Sequence, residues 1–305
     1  MARRRRALQN SVIAWMCIGY IRLARRLPLS WVKGFTRTLG KVSYYLVPRI
    51  RKVGLKNLDL AYGDALSPAK KVRMLKAAVE NVAILAAEFP RTPDLANGKL
   101  THLFTVEGLE NLEPGKLPFF ISAHLGNWEW IAPAMSTKGF RVVEVVRELP
   151  HPALNREVDA LRAANPNMQT LPKQDAVQHV QRLIREGWVV GILADQSPRK
   201  NAVPVTFFGH RCWASAAPAL IADRMQANVH PMAITRAPDG HYTIRFYPPL
   251  DMVHSGNFRA DLLENSQRCQ NALEDLVRAH PEQWLWFHRR WKARPALEAK
   301  WKHRK

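Results

Sequence analysis

The segment Phe119-Phe-Ile-Ser-Ala-His-Leu-Gly-Asn-Trp-Glu-Trp130 joins an apolar run to a polar turn that contains a glycine. Residues 117–123 have the length and composition of a buried β-strand. Gly126 and Asn127 suit a tight turn, because both tolerate backbone conformations that most side chains resist. A helix is predicted near residues 130–136. The segment therefore predicts a strand, a turn and a helix, which is the unit from which α/β sheets are built.

The same turn holds a histidine and an acid five residues apart, His124 and Glu129. A neutral imidazole can take a proton from a hydroxyl at pH 7, and a carboxylate can orient the ring and stabilise the imidazolium. Because five residues of continuous helix turn by about 140°, the pair converges only if residues 125–127 form a turn. The spacing alone is weak evidence. The alternative is a buried, hydrogen-bonded histidine beside a surface glutamate.

A second pair with this spacing, His102 and Glu107, lies in alternating apolar and polar sequence. Alternation predicts a strand, and an odd separation places the two side chains on opposite faces of it. We therefore interpret this pair as structural.

The rest of the chain alternates short apolar runs with helical stretches after a helical N-terminal portion that ends near residue 90. Further strands are predicted at 141–146, 188–194, 229–235 and 242–247. Further helices are predicted at 152–164, 175–186, 214–225 and 258–279, and one N-terminal helix is predicted to open at Ser67-Pro68. This order predicts an α/β fold, a mixed sheet flanked by helices. The simplest division is a basic, amphipathic, membrane-anchoring segment, 1–48, and one α/β domain, 49–305.

Composition limits the possible partners. The 305 residues are 47% hydrophobic, and 46 Lys and Arg against 25 Asp and Glu give a net charge of +21. An apolar content of this size supports a folded core, and the charge calls for nucleic acid, anionic lipid or an acidic protein. The three cysteines are scattered and form neither a disulfide framework nor a zinc-binding spacing. We expect a cytosolic body without a metal site.

The N-terminus favours lipid among those partners. Residues 3–6 are all arginine and precede the apolar run 12–21, which is short for a span of about 20 residues and lacks a cleavage site for a signal peptide. In the next segment, 29–46, apolar residues follow helical spacing beside a basic stripe of Lys33, Arg37 and Lys41. A basic helix with aromatic residues suits an anionic membrane surface. The alternative is a helix packed on its own domain, and the arginines predict that the body faces the cytoplasm.

Polar and charged residues follow the ends of several predicted strands. Arg147 follows residues 142–146, and Asp195 follows the run that ends at Leu193. Since ligands of α/β sheets bind beyond the carboxyl ends of strands, these residues and His124 could share one crevice. Arginine can hold a phosphate or carboxylate there through two hydrogen bonds. For each arginine alone a solvated surface charge is the simpler reading, and Asp195 could instead cap a turn.

Five motifs taken together resemble the bacterial lipid A late acyltransferase family, which includes lauroyl and myristoyl acyltransferases, along nearly the whole chain. They are His124-Leu-Gly-Asn-Trp-Glu129, Arg147, Leu193-Ala-Asp-Gln-Ser197, Val203-Pro-Val-Thr-Phe-Phe-Gly209 and Pro281-Glu-Gln-Trp-Leu-Trp-Phe-His-Arg-Arg290. The resemblance implies a fold like that of glycerolipid acyltransferases.

The resemblance also implies roles for individual residues. His124 is implied to be the general base and Glu129 its orienting partner, and substitution of either by alanine is then expected to abolish acyl transfer. Substrate-binding positions are implied at Asn127, Arg147, Arg162 and Asp195. The arginine position stays open between Arg156 and Arg162, and Asn127 serves either substrate positioning or packing.

The implied reaction is direct transfer of an acyl group from a thioester to a hydroxyl, without a metal or cofactor. The implied partners are acyl carrier protein as donor, an anionic, phosphorylated glycolipid precursor of lipid A as acceptor, and the inner membrane, with the catalytic domain on the cytoplasmic side. Three alternatives stay open: the same transfer to another lysophospholipid or glycolipid, hydrolysis of the thioester, and a non-catalytic basic protein that binds membranes. Nucleic acid is not expected, because no motif of a nucleic-acid-binding fold is found.

Overall fold

The computed structural model describes the backbone of residues 2–172 and 176–302. Asp175 and the side chains of residues 3–6, on which two of the predictions fall, lie outside the described residues. The helices of the described chain are α1 (Ala2–Arg26), α2 (Leu29–Leu46), α3 (Pro48–Tyr62), α4 (Pro68–Glu88), α5 (Thr92–Ala96), α6 (Ile131–Ser136), α7 (Pro152–Arg162), α8 (Ala176–Arg185), α9 (Ala217–Met225), α10 (Phe258–Ala279) and α11 (Pro295–Lys302).

The strands are β1 (Phe104–Glu107), β2 (Pro118–Ser122), β3 (Val142–Val146), β4 (Met168–Pro172), β5 (Val189–Leu193), β6 (Ala202–Phe207), β7 (His210–Ser215), β8 (Asn228–Arg236) and β9 (Tyr242–Phe246). The pairs of β1 with β9, β2 with β8 and β3 with β4 are parallel, and the pair of β8 with β9 is antiparallel. The sheet is therefore mixed and mostly parallel, as the sequence predicts.

The predicted elements are largely confirmed. The strands predicted from apolar runs correspond to β2, β3, β5, β8 and β9, and the helix predicted at 258–279 is α10. Ser67 caps the start of α4, because its Oγ accepts a hydrogen bond of 3.4 Å from the backbone N–H of Lys70. The predicted strand through His102 is wrong, since residues 101–103 form a 3-10 turn and β1 begins at Phe104. The helix predicted from residue 214 begins only at Ala217, because residues 214 and 215 end β7.

The chain divides into two compact units, and each is discontinuous in sequence. The first unit comprises Met1–Leu39, Ala83–Leu103 and Glu129–Val190. Its strands β3 and β4 pair in parallel, from Val142 opposite Met168 onward. The N-terminal helix α1 packs on α7, with Ile21 buried against Val158 and Leu161. A salt bridge of 2.6 Å joins Lys33 Nζ to Glu88, which is fully buried.

The second unit comprises Gly40–Val82, Phe104–Trp128 and Gly191–Lys305. Its strands follow the order β1-β9-β8-β2-β5, beside the separate hairpin of β6 and β7. Strand β2 is central and buried, since Phe119, Phe120 and Ile121 are each at most 1% exposed. Helix α10 packs on β8 and on the hairpin. The division predicted at residue 48, between a membrane-anchoring segment and an α/β domain, does not coincide with the boundaries of these units. It stays a prediction.

Helix α2 has one face that is buried and one that is exposed. Val32, Thr36 and Tyr44 are buried. Val32 belongs to the predicted apolar stripe, but most of that stripe lies in the open: Phe35, Leu39, Val42 and Leu46 are 62%, 54%, 43% and 74% exposed. No helix within the described part of the chain has both the length and the apolar content needed to cross a membrane.

Candidate active site

The turn after β2 is built around a glycine that no other residue can replace without strain. Gly126 has a φ of +59°, in the left-handed region, and a Cβ added to it would lie 1.9 Å from the carbonyl oxygen of Ile234. The predicted turn is confirmed, because a 3-10 turn begins only at Trp128 and α6 only at Ile131. Glycine is required here for both its conformation and its size.

The C-terminal segment holds this turn in place. The backbone N–H of Leu285 donates to the carbonyl of His124 at 3.1 Å, and the backbone N–H of Gly126 donates to the carbonyl of Gln283 at 3.2 Å. The buried Asn81 on α4 donates to the carbonyls of both Gly126 and Gln283, at 2.9 and 3.1 Å. Hydrogen bonds from the C-terminal segment and from α4 therefore hold the backbone of residues 124–126.

The ring of His124 is bound by Asp195, which follows β5. His124 Nδ1 lies 2.7 Å from Asp195 Oδ1, and the backbone N–H of His124 donates to Asp195 Oδ2 at 3.0 Å. The indole N–H of Trp284 donates to the same Oδ2 at 2.8 Å. The side chain of His124 is 18% exposed and that of Asp195 is 2% exposed. The structure thus brings together two of the residues that sequence placed at strand ends.

Electrostatics keep Asp195 ionised. Burial alone would raise the pKa of this carboxyl, but the charge and hydrogen bonds of His124, with the indole of Trp284, lower the pKa overall. An ionised carboxylate can only accept hydrogen bonds, so Nδ1 of His124 carries the proton. In the neutral ring Nε2 is then left with its lone pair, which is the state that a general base needs.

Two further side chains surround the ring of His124. The amide Nε2 of Gln196 lies 3.1 Å from His124 Nε2. The indole of Trp128 meets the imidazole edge to face, with ring centroids 5.1 Å apart and an interplanar angle of 63°. Nearby, burial lowers the pKa of His288 to about 4, so this second histidine is neutral at pH 7. The pair of His124 and Asp195 thus lies beside the indoles of Trp128 and Trp284 and is largely buried.

A buried guanidinium supports the main chain just before Asp195. Arg290 is fully buried, and it donates to the carbonyl of Trp213 at 2.6 Å and to Gln270 Oε1 at 2.7 Å. The amide of Gln270 donates to the carbonyl of Ala194 at 3.1 Å. Such a continuous buried network fixes the position of each of its members.

Glu129, the predicted partner of His124, is the centre of a second polar cluster, in the first unit. Its carboxylate accepts two-pronged hydrogen bonds from Arg162, with Nε to Oε2 at 3.1 Å and Nη2 to Oε1 at 2.9 Å. Glu144 on β3 lies 3.7 Å from Arg162 Nε. In the structure His124 Nδ1 is hydrogen-bonded to Asp195, and Glu129, the partner implied by the resemblance, is ion-paired with Arg162.

Glu144 makes the stability of this cluster depend on pH. Burial and the charge of Glu129 raise the pKa of Glu144 from 4.5 to about 8, against the opposing effect of Arg162. Between these two pH values the carboxyl of Glu144 keeps its proton in the folded protein and has lost it in the unfolded chain. Folding stability should therefore fall as pH rises from about 4.5 to about 8. We expect Glu144→Gln to lessen that loss, which is measured as the change in melting temperature between pH 5 and 9.

The exposed Glu110 offers a matched control for this measurement. Glu110→Gln should leave the pH dependence of the wild type intact. An equal decline in melting temperature for Glu144→Gln and the wild type would contradict a protonated Glu144.

The remaining predicted site residues differ in burial. Arg147 and Arg156 are exposed, whereas Arg162 is 18% exposed and ion-paired. This distinguishes Arg162 from Arg156 as the built-in arginine of the cluster. Asn127 is 1% exposed, so its side chain is packed inside the protein. The substrate-binding roles of these residues stay predictions.

Sequence reasoning assigned no role to Trp284, Gln196 or Arg290. Their motifs were part of the family resemblance, but nothing local in sequence connects an indole near the C-terminus to a carboxylate 89 residues earlier. One signal could have pointed to them: side chains that form hydrogen bonds recur in otherwise apolar segments of the sequence. These side chains are tryptophan, glutamine and arginine.

Comparison with known proteins defines the class of enzyme as an acyltransferase. A model of the family described as bacterial lipid A biosynthesis acyltransferase matches residues 1–293. The chain therefore belongs to the bacterial lipid A biosynthesis acyltransferase family, and the resemblance seen in the sequence is confirmed. It is similar to the lipid A biosynthesis lauroyltransferase of Escherichia coli (strain K12), with 22% identity over 293 residues, 93% of this chain and 92% of that protein.

Among solved structures, the chain is similar to the 1-acyl-sn-glycerophosphate acyltransferase PlsC from Thermotoga maritima. The TM-score is 0.35 and the identity 12%, over 79% of this chain and 97% of that one. Because this TM-score is low, the fold class is assigned from the strand order of the chain itself.

Proposed function

We propose that this enzyme transfers a fatty acyl group from acyl carrier protein to a hydroxyl of a lipid A precursor at the cytoplasmic face of the inner membrane. The observation that carries the proposal is the hydrogen bond of 2.7 Å between His124 Nδ1 and the buried Asp195 carboxylate. It leaves Nε2 as the proton acceptor in a site of an acyltransferase family.

The proposed reaction needs no nucleophilic side chain. His124 Nε2 takes the proton of the acceptor hydroxyl while the oxygen forms a bond to the thioester carbonyl carbon. The carbonyl π electrons move to oxygen and give a tetrahedral oxyanion. When the oxyanion collapses, the C–S bond breaks and the imidazolium returns the proton to the leaving thiolate. Asp195 orients the ring and stabilises the imidazolium, which is the role that sequence predicted for Glu129.

Charge supports an anionic donor and acceptor. The net charge of +21 complements both an acidic carrier protein and a phosphorylated glycolipid, and it favours their encounter with the enzyme. The chemistry of His124 and Asp195 sets no preference between acyl carrier protein and coenzyme A. The choice of carrier protein rests on charge and on the family.

The exposed apolar side chains of the N-terminal helices support contact with a lipid surface. On α1, Val12, Ile13, Trp15 and Met16 are 58–69% exposed, and on α2 Trp31 is 69% exposed. Exposed apolar and aromatic side chains are unfavourable in water, and on helices that also carry the exposed Arg22, Arg25 and Arg26 they suit the interface of an anionic membrane. We propose that α1 and α2 lie on the membrane rather than cross it.

Mass spectrometry of lipid A tests the proposed function. A strain that lacks the gene should produce lipid A without one acyl chain, and the wild-type gene should restore it while a His124→Ala gene should not. The missing mass identifies the donor chain, and fragmentation locates the acylated hydroxyl. Unchanged lipid A in the deletion strain would contradict the proposed acceptor.

The purified protein separates the remaining alternatives. Incubated with acyl thioester and no acceptor, it should consume the thioester slowly, and addition of the lipid A precursor should accelerate the loss. Rapid loss without acceptor would indicate a hydrolase.

A further inference from the structure

The side-chain amide of Gln196 contacts His124 Nε2, the nitrogen that must accept the proton. Because His124 Nδ1 donates to Asp195, Nε2 is an acceptor, and the side-chain NH₂ of Gln196 is the donor across the 3.1 Å between them. One amide hydrogen bonds the imidazole, and the other remains to bind a second oxygen. Gln196 therefore provides a hydrogen-bond donor at the reacting nitrogen.

The main chain around Gln196 is fixed while its side chain can rotate. On one side Asp195 is held by His124 and Trp284. On the other side the buried Ser197 accepts hydrogen bonds from Arg294, at 2.8 Å to its carbonyl and 3.3 Å to its Oγ. Gln196 itself is partly exposed. Rotation of its side chain can thus carry the amide off Nε2 without moving the backbone.

An acceptor hydroxyl must take the place of this amide before reaction. Its oxygen has to lie about 2.8 Å from Nε2 to transfer a proton, close to where the Gln196 nitrogen lies now. The displaced amide stays beside that oxygen, because its backbone is fixed. The carbonyl carbon under attack is one bond from the same oxygen, and the developing oxyanion is one bond further on.

We propose that Gln196 is a catalytic residue that releases Nε2 to the acceptor hydroxyl and donates an N–H to the tetrahedral oxyanion. The role deepens the proposed acyl transfer and rests on it. The amide neither gains nor loses a proton: the hydroxyl proton goes to Nε2 and then to the leaving thiolate, while the amide N–H binds the charge that forms between these two steps. A donor that is in place before charge develops stabilises the transition state more than the ground state.

Three substitutions at Gln196 distinguish the effect of the N–H donor from the effect of side-chain size. Gln196→Met keeps the length and removes the donor, and Gln196→Ala removes both. We expect each to lower kcat by about 10²–10³-fold with KM for the acceptor changed by less than about threefold. Gln196→Glu keeps the shape but places a carboxylate beside the oxyanion and the base, so its kcat should be lower than that of Gln196→Met.

Gln267 provides the matched control, because its amide is hydrogen-bonded to both the N–H and the carbonyl of Thr206. Gln267→Ala should lower the melting temperature but change kcat little, as expected of a structural glutamine. A kcat of Gln196→Met within about threefold of wild type, or above it, would overturn the role of Gln196, and a higher kcat would mark the amide as a mere obstruction.

The two proposals fail separately. A wild-type protein without acyl transfer overturns the proposed function and with it the role of Gln196. A fully active His124→Ala variant overturns His124 as the base, and with it the role of Gln196, but leaves acyl transfer standing. An active wild type, an inactive His124→Ala variant and a fully active Gln196→Met variant together overturn only the role of Gln196.

Discussion

His124→Ala is expected to lower the rate of acyl transfer by about 10²–10⁴-fold, while the protein stays folded and bound to membranes. The variant retains the turn, because the backbone N–H and carbonyl of residue 124 still bind Asp195 and Leu285. It loses only the ring that takes the proton. The rate is measured in single turnover with acyl carrier protein thioester and lipid A precursor in vesicles.

His102 supplies the control for this substitution, since it is exposed and has the same spacing to an acid. His102→Ala should keep its rate within about twofold of wild type. If His124→Ala transferred the acyl group as fast as His102→Ala does, His124 would not be the base.

Asp195→Asn is expected to lower the rate by up to about 10⁴-fold, because it selects the wrong tautomer of His124. Asp195 Oδ2 receives two N–H donors, from the backbone of His124 and from Trp284. The amide of an asparagine cannot direct its NH₂ toward those donors, so its oxygen stays there and its NH₂ faces Nδ1. Nδ1 must then accept a hydrogen bond, the ring proton moves to Nε2, and Nε2 can no longer accept the proton of the substrate.

The chain offers a second aspartate beside a histidine as a control. Asp223 lies 3.7 Å from His254, and both side chains are close to half exposed. Asp223→Asn should leave the rate within about twofold of wild type, as is usual for surface substitutions. Equal rates for Asp195→Asn and the wild type would contradict the orienting role of Asp195, provided that circular dichroism shows both proteins folded.

The sequence predicted the central strands and the catalytic turn because their signals are local. The apolar run before His124 and the glycine after it determine a strand and a turn by composition alone. The elements it missed lack that signal: β4 contains Gln169 and Thr170 and ends in a proline, and the hairpin of β6 and β7 contains a proline in β6 and begins β7 with a histidine and an arginine. Pairing with distant strands, which sequence patterns do not reveal, stabilises them.

The sequence pointed to Glu129 as the partner of His124 and gave no local signal that Asp195 would bind the ring. Glu129 is five residues away along the chain, whereas Asp195 is 71 residues away and reaches the ring through the pairing of two strands. Only the fold shows that Asp195 binds Nδ1 and that Glu129 binds Arg162. Likewise, the apolar stripe of α2 predicted an amphipathic helix, but spacing alone could not say whether that stripe was covered by protein or left open.

The most direct test of the account is the tautomer of His124, observed by two-bond ¹⁵N–¹H correlation NMR of protein labelled in its histidine rings. The wild type should carry its ring proton on Nδ1 at pH 7. The same tautomer should persist in Glu129→Gln and reverse in Asp195→Asn. A wild-type ring protonated on Nε2, or a tautomer that reverses in Glu129→Gln and persists in Asp195→Asn, would contradict Asp195 as the partner that prepares His124 for acyl transfer.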